Sequence, residues 1–254
     1  MFNTRECDLR KLNSMTKYPS IPTYHKLGQK GRLTEELNCD FSGETVIATE
    51  KIDGENSRLI LLPDNMYVIG SREELLYGRG DLIESGEIVK TLKPIGDRMQ
   101  GVPDDHIMVL FFETFGGKTT AGAKQYTSDR SLSCRLFDAV KITNYRELFE
   151  MPLEKTSSWR QHGGQEFAPE HWLTDYAPSE GLQLAPRITL LDGAIPTDIE
   201  QTLKCLQSVI PQTHVALDDN AKGNPEGLVA RTPDRSQIAK LRFEDYNRTL
   251  RAKK

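Results

Sequence analysis

Three short apolar runs follow one another with hardly a turn between them, at residues 44 to 53, 57 to 63 and 66 to 72. They are too short for buried helices and are rich in branched side chains, so they read as strands. Pro63-Asp64-Asn65 makes a tight turn between the second and third. Such spacing favours antiparallel hairpins. Four further runs of the same kind lie at residues 107 to 112, 132 to 142, 226 to 231 and 237 to 243.

Helices are expected between these strands. From Leu82 to Met99, the residues Leu82, Ile83, Ile88, Val89, Leu92 and Ile95 recur at helical spacing, with Gly86 and Pro94 weakening or ending the helix. A short helical stretch is expected at Tyr145 to Met151. A further helix starts at Thr197 or Asp198 as cap and has Ile199, Leu203, Leu206 and Ile210 on one face. Residues 1 to 43 read as an extended arm with short helical pieces, packed on the core, because Pro19 and Pro22 discourage both helix and central strand. Residues 143 to 181, which hold Trp159, Arg160, His162, His171 and Trp172, read mainly as a tethered surface loop; the alternative is a clamp on which unpaired nucleic-acid bases stack. The Gly116-Gly117-Lys118-Thr119-Thr120 string lacks the earlier glycine of a Walker loop and reads as a turn.

A chain of 254 residues is within reach of one α+β domain, so the expected division is the arm, 1 to 43, and a domain at 44 to 254. No apolar stretch approaches a membrane span and the N-terminus has no apolar signal region, which leads to the expectation of a cytoplasmic protein without membrane contact. Cys7, Cys39, Cys134 and Cys205 are too scattered for a zinc site or a disulfide framework. Asn247-Arg248-Thr249 and Arg79-Gly80-Asp81 are chance matches to short motifs. The net charge of −4 is unusual for a protein that binds nucleic acid, but Lys240, Arg242, Arg248, Arg251, Lys253 and Lys254 concentrate positive charge near the C-terminus.

Lys51 stands where one strand stops and the next begins, in Lys51-Ile52-Asp53-Gly54. A lysine amine has a reference pKa of about 10.4, so it attacks phosphorus only where its surroundings favour the neutral form. Downstream come Gly70-Ser71-Arg72, Phe111-Phe112-Glu113-Thr114-Phe115-Gly116, Arg135-Leu136-Phe137-Asp138, Glu226-Gly227-Leu228-Val229 and Lys240-Leu241-Arg242. In this order the six segments resemble the motifs of the covalent nucleotidyltransferases, the lysyl-AMP polynucleotide ligases and capping enzymes. Glu50-Lys51-Ile52-Asp53-Gly54-Glu55-Asn56 is most similar to the ATP-dependent type-2 RNA ligases, although that branch more often has His at the place of Asp53. The resemblance spans residues 44 to 243.

The resemblance implies a nucleotidyltransferase (adenylation) domain, α+β and ATP-grasp-like, of largely antiparallel sheets flanked by helices. It implies Lys51 as nucleophile, with Lys240 and Arg242 as phosphate-facing cations, the second of which is usually lysine. Glu226 is implied to position the metal, Glu113 to hold the ribose, Phe137 to stack on the purine and Glu50 to meet the adenine amino group. Asn56 and Arg72 are implied to contact the nucleotide and the reacting nucleic-acid end. The implied cofactors are ATP and Mg²⁺, with Mn²⁺ as a substitute. The implied activity joins 3′-hydroxyl and 5′-phosphate ends of RNA, in a nicked duplex or at broken ends, as in RNA repair. Only about a dozen residues follow Arg242, so no C-terminal OB-fold domain is expected and substrate contacts would come from the arm, residues 143 to 181, a second subunit or a repair partner. The competing readings are a DNA-nick ligase, a capping-type guanylyltransferase and a non-catalytic nucleic-acid end-binding protein.

Overall fold

The structure, a computed structural model, describes residues 2–78, 86–99, 101–190 and 194–252. Leu82, Ile83, Arg79-Gly80-Asp81, Lys253 and Lys254 lie outside the described residues. The chain divides into two compact units. The first comprises residues 1–19, 54–120 and 132–184, and the second 20–53, 121–131 and 185–254. The expected arm is therefore shared, with residues 1–19 in the first unit and 20–43 in the second.

In chain order the strands are β1 (His25–Leu27), β2 (Leu33–Leu37), β3 (Ile47–Lys51), β4 (Glu55–Leu61), β5 (Tyr67–Ser71), β6 (Leu75–Gly78), β7 (Ile107–Gly116), β8 (Leu132–Ile142), β9 (Glu166–Phe167), β10 (Arg187–Ile188), β11 (Gly227–Arg231) and β12 (Ile238–Arg242). The helices are α1 (Leu9–Thr16), α2 (Glu87–Arg98), α3 (Tyr145–Glu150), α4 (Leu153–Gln161), α5 (Glu170–Ser179), α6 (Ile199–Val209) and α7 (Phe243–Arg251).

The first unit is built on a six-stranded sheet in the order β6-β5-β4-β7-β8-β9, antiparallel throughout. Alternation along β4 sends Leu59 and Leu61 to one face and Ile60 to the other, and each face acquires its own core. On the first, Ile88, Val89, Leu92 and Ile95 of α2 and Leu173 and Ala177 of α5 pack against Leu110 and Phe112. On the second, Leu12 and Met15 of α1 and Tyr145 and Leu148 of α3 pack against Val109 and Phe111. Asp8 caps α1 by accepting from the amides of Arg10 and Lys11.

Two expectations need correction here. Pro94 does not end α2, which begins after Gly86 and runs to Arg98 with Pro94 inside it. Burial of its apolar face on the sheet outweighs the missing amide. Residues 143 to 181 are not mainly loop but hold α3, α4, β9 and α5. Trp159 packs beside the second core, while the Trp172 ring stacks on Tyr176 of the same helix at 4.2 Å.

The second unit carries a four-stranded antiparallel sheet, β10-β3-β11-β12, and a separate β1-β2 hairpin. Ala48, Leu228, Ala230, Ala239 and Leu241 point to one face, where they meet Ile199, Leu203 and Leu206 of α6 and Tyr246 of α7. Asp198 caps α6 through the amide of Gln201 at 2.8 Å. Among the described residues no helix is long and apolar enough to cross a membrane.

Candidate active site

In the second unit, the face of the sheet opposite its core collects the chemistry. Gly227 on β11 lies in register with Lys51 on β3 and with Arg242 on β12, and Val229 with Thr49 and Lys240. Because side chains alternate along a strand, Lys51, Arg242 and Lys240 project from one face. Lys51 Nζ donates to Glu226 Oε2 at 2.6 Å, across 175 residues of sequence. Both side chains are largely enclosed, 25% and 19% exposed.

Glu226 immediately precedes Gly227, whose φ of +155° allows the chain to enter β11 at an angle that few other residues adopt. A Cβ at Gly227 would lie 1.9 Å from the carbonyl oxygen of Leu241. Glycine is thus what lets β11 close on β12 while Glu226 reaches Lys51. Burial pushes the Glu226 carboxyl above its ordinary value, with Asp53 adding to the rise and Lys51 and Arg242 opposing it.

Asp53, at the end of the Lys51 turn, donates its amide hydrogen to Tyr126 Oη at 2.6 Å. Tyr126 is fully buried and belongs to residues 121–131, which are inserted between β7 and β8 of the first unit yet pack in the second. Its carbonyl accepts from the amide of Leu217 at 2.7 Å, and the neighbouring Gln125 side chain accepts from the amide of Asn224 at 3.2 Å. One short segment therefore braces both the Lys51 turn and the loop that leads into Glu226. No sequence pattern singles out Tyr126.

Glu50 points the other way from Lys51. It is 3% exposed, and its carboxylate accepts from the hydroxyl of Thr213 and from the amide of His214 at 2.9 Å. Arg242 is held by a bidentate pair, Nε to Asp245 Oδ2 at 2.8 Å and Nη2 to Asp245 Oδ1 at 3.0 Å. Arg248 meets the same buried carboxylate and donates to the carbonyl of Gly31. The basic C-terminal residues are thus less a free stripe than sequence alone suggests, since Arg242 and Arg248 both pair with the buried Asp245.

The first unit holds the other candidate residues. Glu113 on β7 lies directly opposite Asn56 on β4 and Arg135 on β8, and its Oε1 accepts from the amide of Gly54 at 3.1 Å. Asn56 Oδ1 is buried without a hydrogen-bond partner. Arg72 follows β5 and lies 3.7 Å from Glu73. Phe137 sits at a register shift in β8, where a Tyr18 ring meets it edge-on at 5.0 Å.

The sequence matches the RNA ligase family over residues 44–244. The chain belongs to the RNA ligase family. Its fold is similar to that of Naegleria gruberi RNA ligase, solved with pyrophosphate, at a TM-score of 0.50 and 13% identity over 83% of this chain and 52% of that one. A glutamate-to-alanine variant of the same enzyme, solved with ATP and Mn, aligns at a TM-score of 0.53 and 14% identity over 92% of this chain and 62% of that one. An aspartate-to-alanine variant without ligand gives 0.53 and 13% over 94% and 62%. This chain therefore spans between half and two thirds of the length of these structures. No curated protein sequence matches it. As an RNA ligase family member it has the expected antiparallel α+β architecture, and the implied motif residues fall at strand ends: Lys51 closing β3, Glu226 entering β11 and Arg242 closing β12.

Proposed function

We propose that this protein joins RNA ends at the expense of ATP, with Lys51 as the residue that carries AMP. The observation that supports this most is the Lys51–Glu226 contact of 2.6 Å beside Lys240 and Arg242 on one sheet face. Glu226 Oε2, 2.6 Å from Lys51 Nζ, orients the amine, which loses its proton to water before it attacks. The neutral Nζ then attacks the α-phosphorus of ATP, the bond to the pyrophosphate oxygen breaks, and a lysyl-AMP phosphoramidate remains. Lys240 and Arg242 hold the phosphate oxygens as charge builds on them. AMP passes from Lys51 to the RNA 5′-phosphate, and a 3′-hydroxyl closes the phosphodiester with release of AMP.

The remaining roles follow the same scheme. Glu113 binds the ribose, Phe137 stacks on the purine, and Asn56 and Arg72 hold the nucleotide and the RNA end. Glu50, whose two carboxylate oxygens are taken by Thr213 and His214, supports the adenine site through the turn it fixes. No group of three or more metal-ligating side chains occurs among the described residues. A single hard carboxylate, Glu226, suits Mg²⁺ or Mn²⁺ that takes its other oxygens from phosphate and water. Bound there, the cation supplies counter-charge for the pyrophosphate leaving group. The four unpaired cysteines suit a reducing compartment, in keeping with a cytoplasmic RNA-repair role.

Incubation with α-labelled ATP or GTP and a divalent cation, followed by denaturing electrophoresis, tests the reading. Label from ATP is expected on the wild-type chain and none on Lys51→Arg, because a guanidinium offers no neutral amine. A labelled Lys51→Arg protein, or an unlabelled wild type, would sink it.

A further inference from the structure

Under α1 and α4 of the first unit, the sheet carries a buried guanidinium within a cluster of positive charge. Arg58 on β4 is fully buried, yet its Nε and Nη1 have no hydrogen-bond partner; Nη2 meets Asn13 Oδ1 on α1. It can lie flat because residue 70, directly opposite on β5, is glycine: a Cβ there would come within 2.7 Å of Arg58 Nε. Gly70 thus makes room for a guanidinium.

Three more cations surround it. Arg160 of α4 is half-buried and donates from Nη1 to the Ser14 carbonyl at 2.6 Å. Lys17 Nζ lies 2.8 Å from Glu73 Oε2, and Arg72 Nε 3.7 Å from Glu73 Oε1. Burial, with Arg160 nearby, pushes the Arg58 guanidinium down to about 9, and the carboxylate opposing this is Glu73. Four cations therefore face a carboxylate whose side chain is 69% exposed. Arginine stays charged, and an enclosed guanidinium with two unpaired nitrogens is costly unless an anion offsets it.

We infer that Lys17, Arg58, Arg72 and Arg160 form a receptor for a phosphate group of an RNA strand, which takes the place of the Glu73 carboxylate at its mouth. This rests on the reading of the chain as an RNA-joining enzyme and adds a site for the strand to it. Lys17, Arg72 and Arg160 hold the phosphate oxygens, and Arg58 beneath them supplies charge that water cannot screen. Asn56, assigned to the reacting end, lies on the same face of β4 only two residues away, about 7 Å along the strand. The receptor therefore grips the strand beside the end to be joined. Without RNA, Glu73 keeps the cations in place.

Binding of a fluorescent single-stranded RNA oligomer, prepared with a 5′-phosphate and with a 5′-hydroxyl, is measured by anisotropy over a salt series for wild type, Glu73→Gln and Arg160→Gln. Glu73→Gln, an exposed change that does not threaten the fold, is expected to bind about 3- to 10-fold tighter at low salt. Arg160→Gln, checked by melting, is expected to bind about 10-fold weaker, with a log–log salt slope shallower by about 1. A loss confined to the 5′-phosphorylated oligomer identifies the terminal phosphate as the ligand; an equal loss on both identifies an internal one. Wild-type affinity and slope in both variants would overturn the receptor while leaving the RNA-joining reading in place. Absence of RNA binding by the wild-type chain would sink both.

Discussion

Replacing Tyr126 with Phe removes one oxygen atom and leaves the ring in the core. That oxygen accepts the amide hydrogen of Asp53 at 2.6 Å, two residues from Lys51. Without it a half-buried amide loses its acceptor, a penalty of about 1–3 kcal/mol for buried groups, and about 1–1.5 here because Asp53 is reached by water. If the turn must be held for Lys51 to attack, the loss falls on the transition state, where about 1.4 kcal/mol is a factor of ten in rate. Single-turnover adenylylation of the wild type and of Tyr126→Phe should therefore differ about 10-fold in maximal rate, with the ATP concentration at half-maximal rate changed less than about 2-fold. Loss of about 1 kcal/mol should lower the melting temperature by about 2–4 °C in a chain of this size, too little to unfold it at 25 °C. Full adenylylation rate with a lowered melting temperature would show that Tyr126 only stabilises the fold. That result would refute the bracing argument.

Two further outcomes are expected. Glu226→Ala should strongly lower adenylylation at every Mg²⁺ or Mn²⁺ concentration, and Glu226→Asp, one methylene shorter, should lose only part; an alanine variant with unchanged metal dependence would confine Glu226 to a structural role. Asp218 accepts from the amide and hydroxyl of Ser128 and from the amide of Asn220, and these bonds hold its carboxyl down to about 2. A depressed carboxyl contributes stability above its unfolded pKa and loses it as pH falls through the folded one. Wild type should thus melt higher than Asp218→Asn at pH 6, and the gap should close between pH 4 and about pH 2; a gap that persists at pH 2 would show that the ionised form is not what holds Ser128.

The strands that bear the candidate site were legible in the sequence because their signal is local. Thr45 to Ala48, Arg58 to Leu62 and Ala239 to Leu241 are short branched or apolar runs bounded by turn residues, and β3, β4 and β12 form there. The cap of α6 was legible for the same reason, since Asp198 bonds to an amide three residues on. Of the helices in residues 143 to 181, α3 was legible, and α4 and α5 were not. Leu153–Gln161 has few apolar residues and no clear periodicity, and α5 holds Pro178 within its last turn. Their helicity comes from distant partners: Leu173 and Ala177 from α5, and Trp159 from α4, are packed against the sheet.

By itself the sequence determined the order of strands, the lysine between two of them and the family motifs that follow, because each depends on neighbours in the chain. Only the tertiary structure decided what each charged group meets. It brought Glu226 to Lys51 across 175 residues, turned Glu50 to the opposite face, gave Arg242 to Asp245, and set Tyr126 under the Lys51 turn from an insertion in the other unit's connection. It also left Arg58 enclosed beside Gly70, with Nε and Nη1 lacking acceptors. The physical reason is that a strand's periodicity follows from its own backbone, whereas the partner of a buried charge depends on sheet register and on which segments return to it, and neither is written within a few residues of the charge.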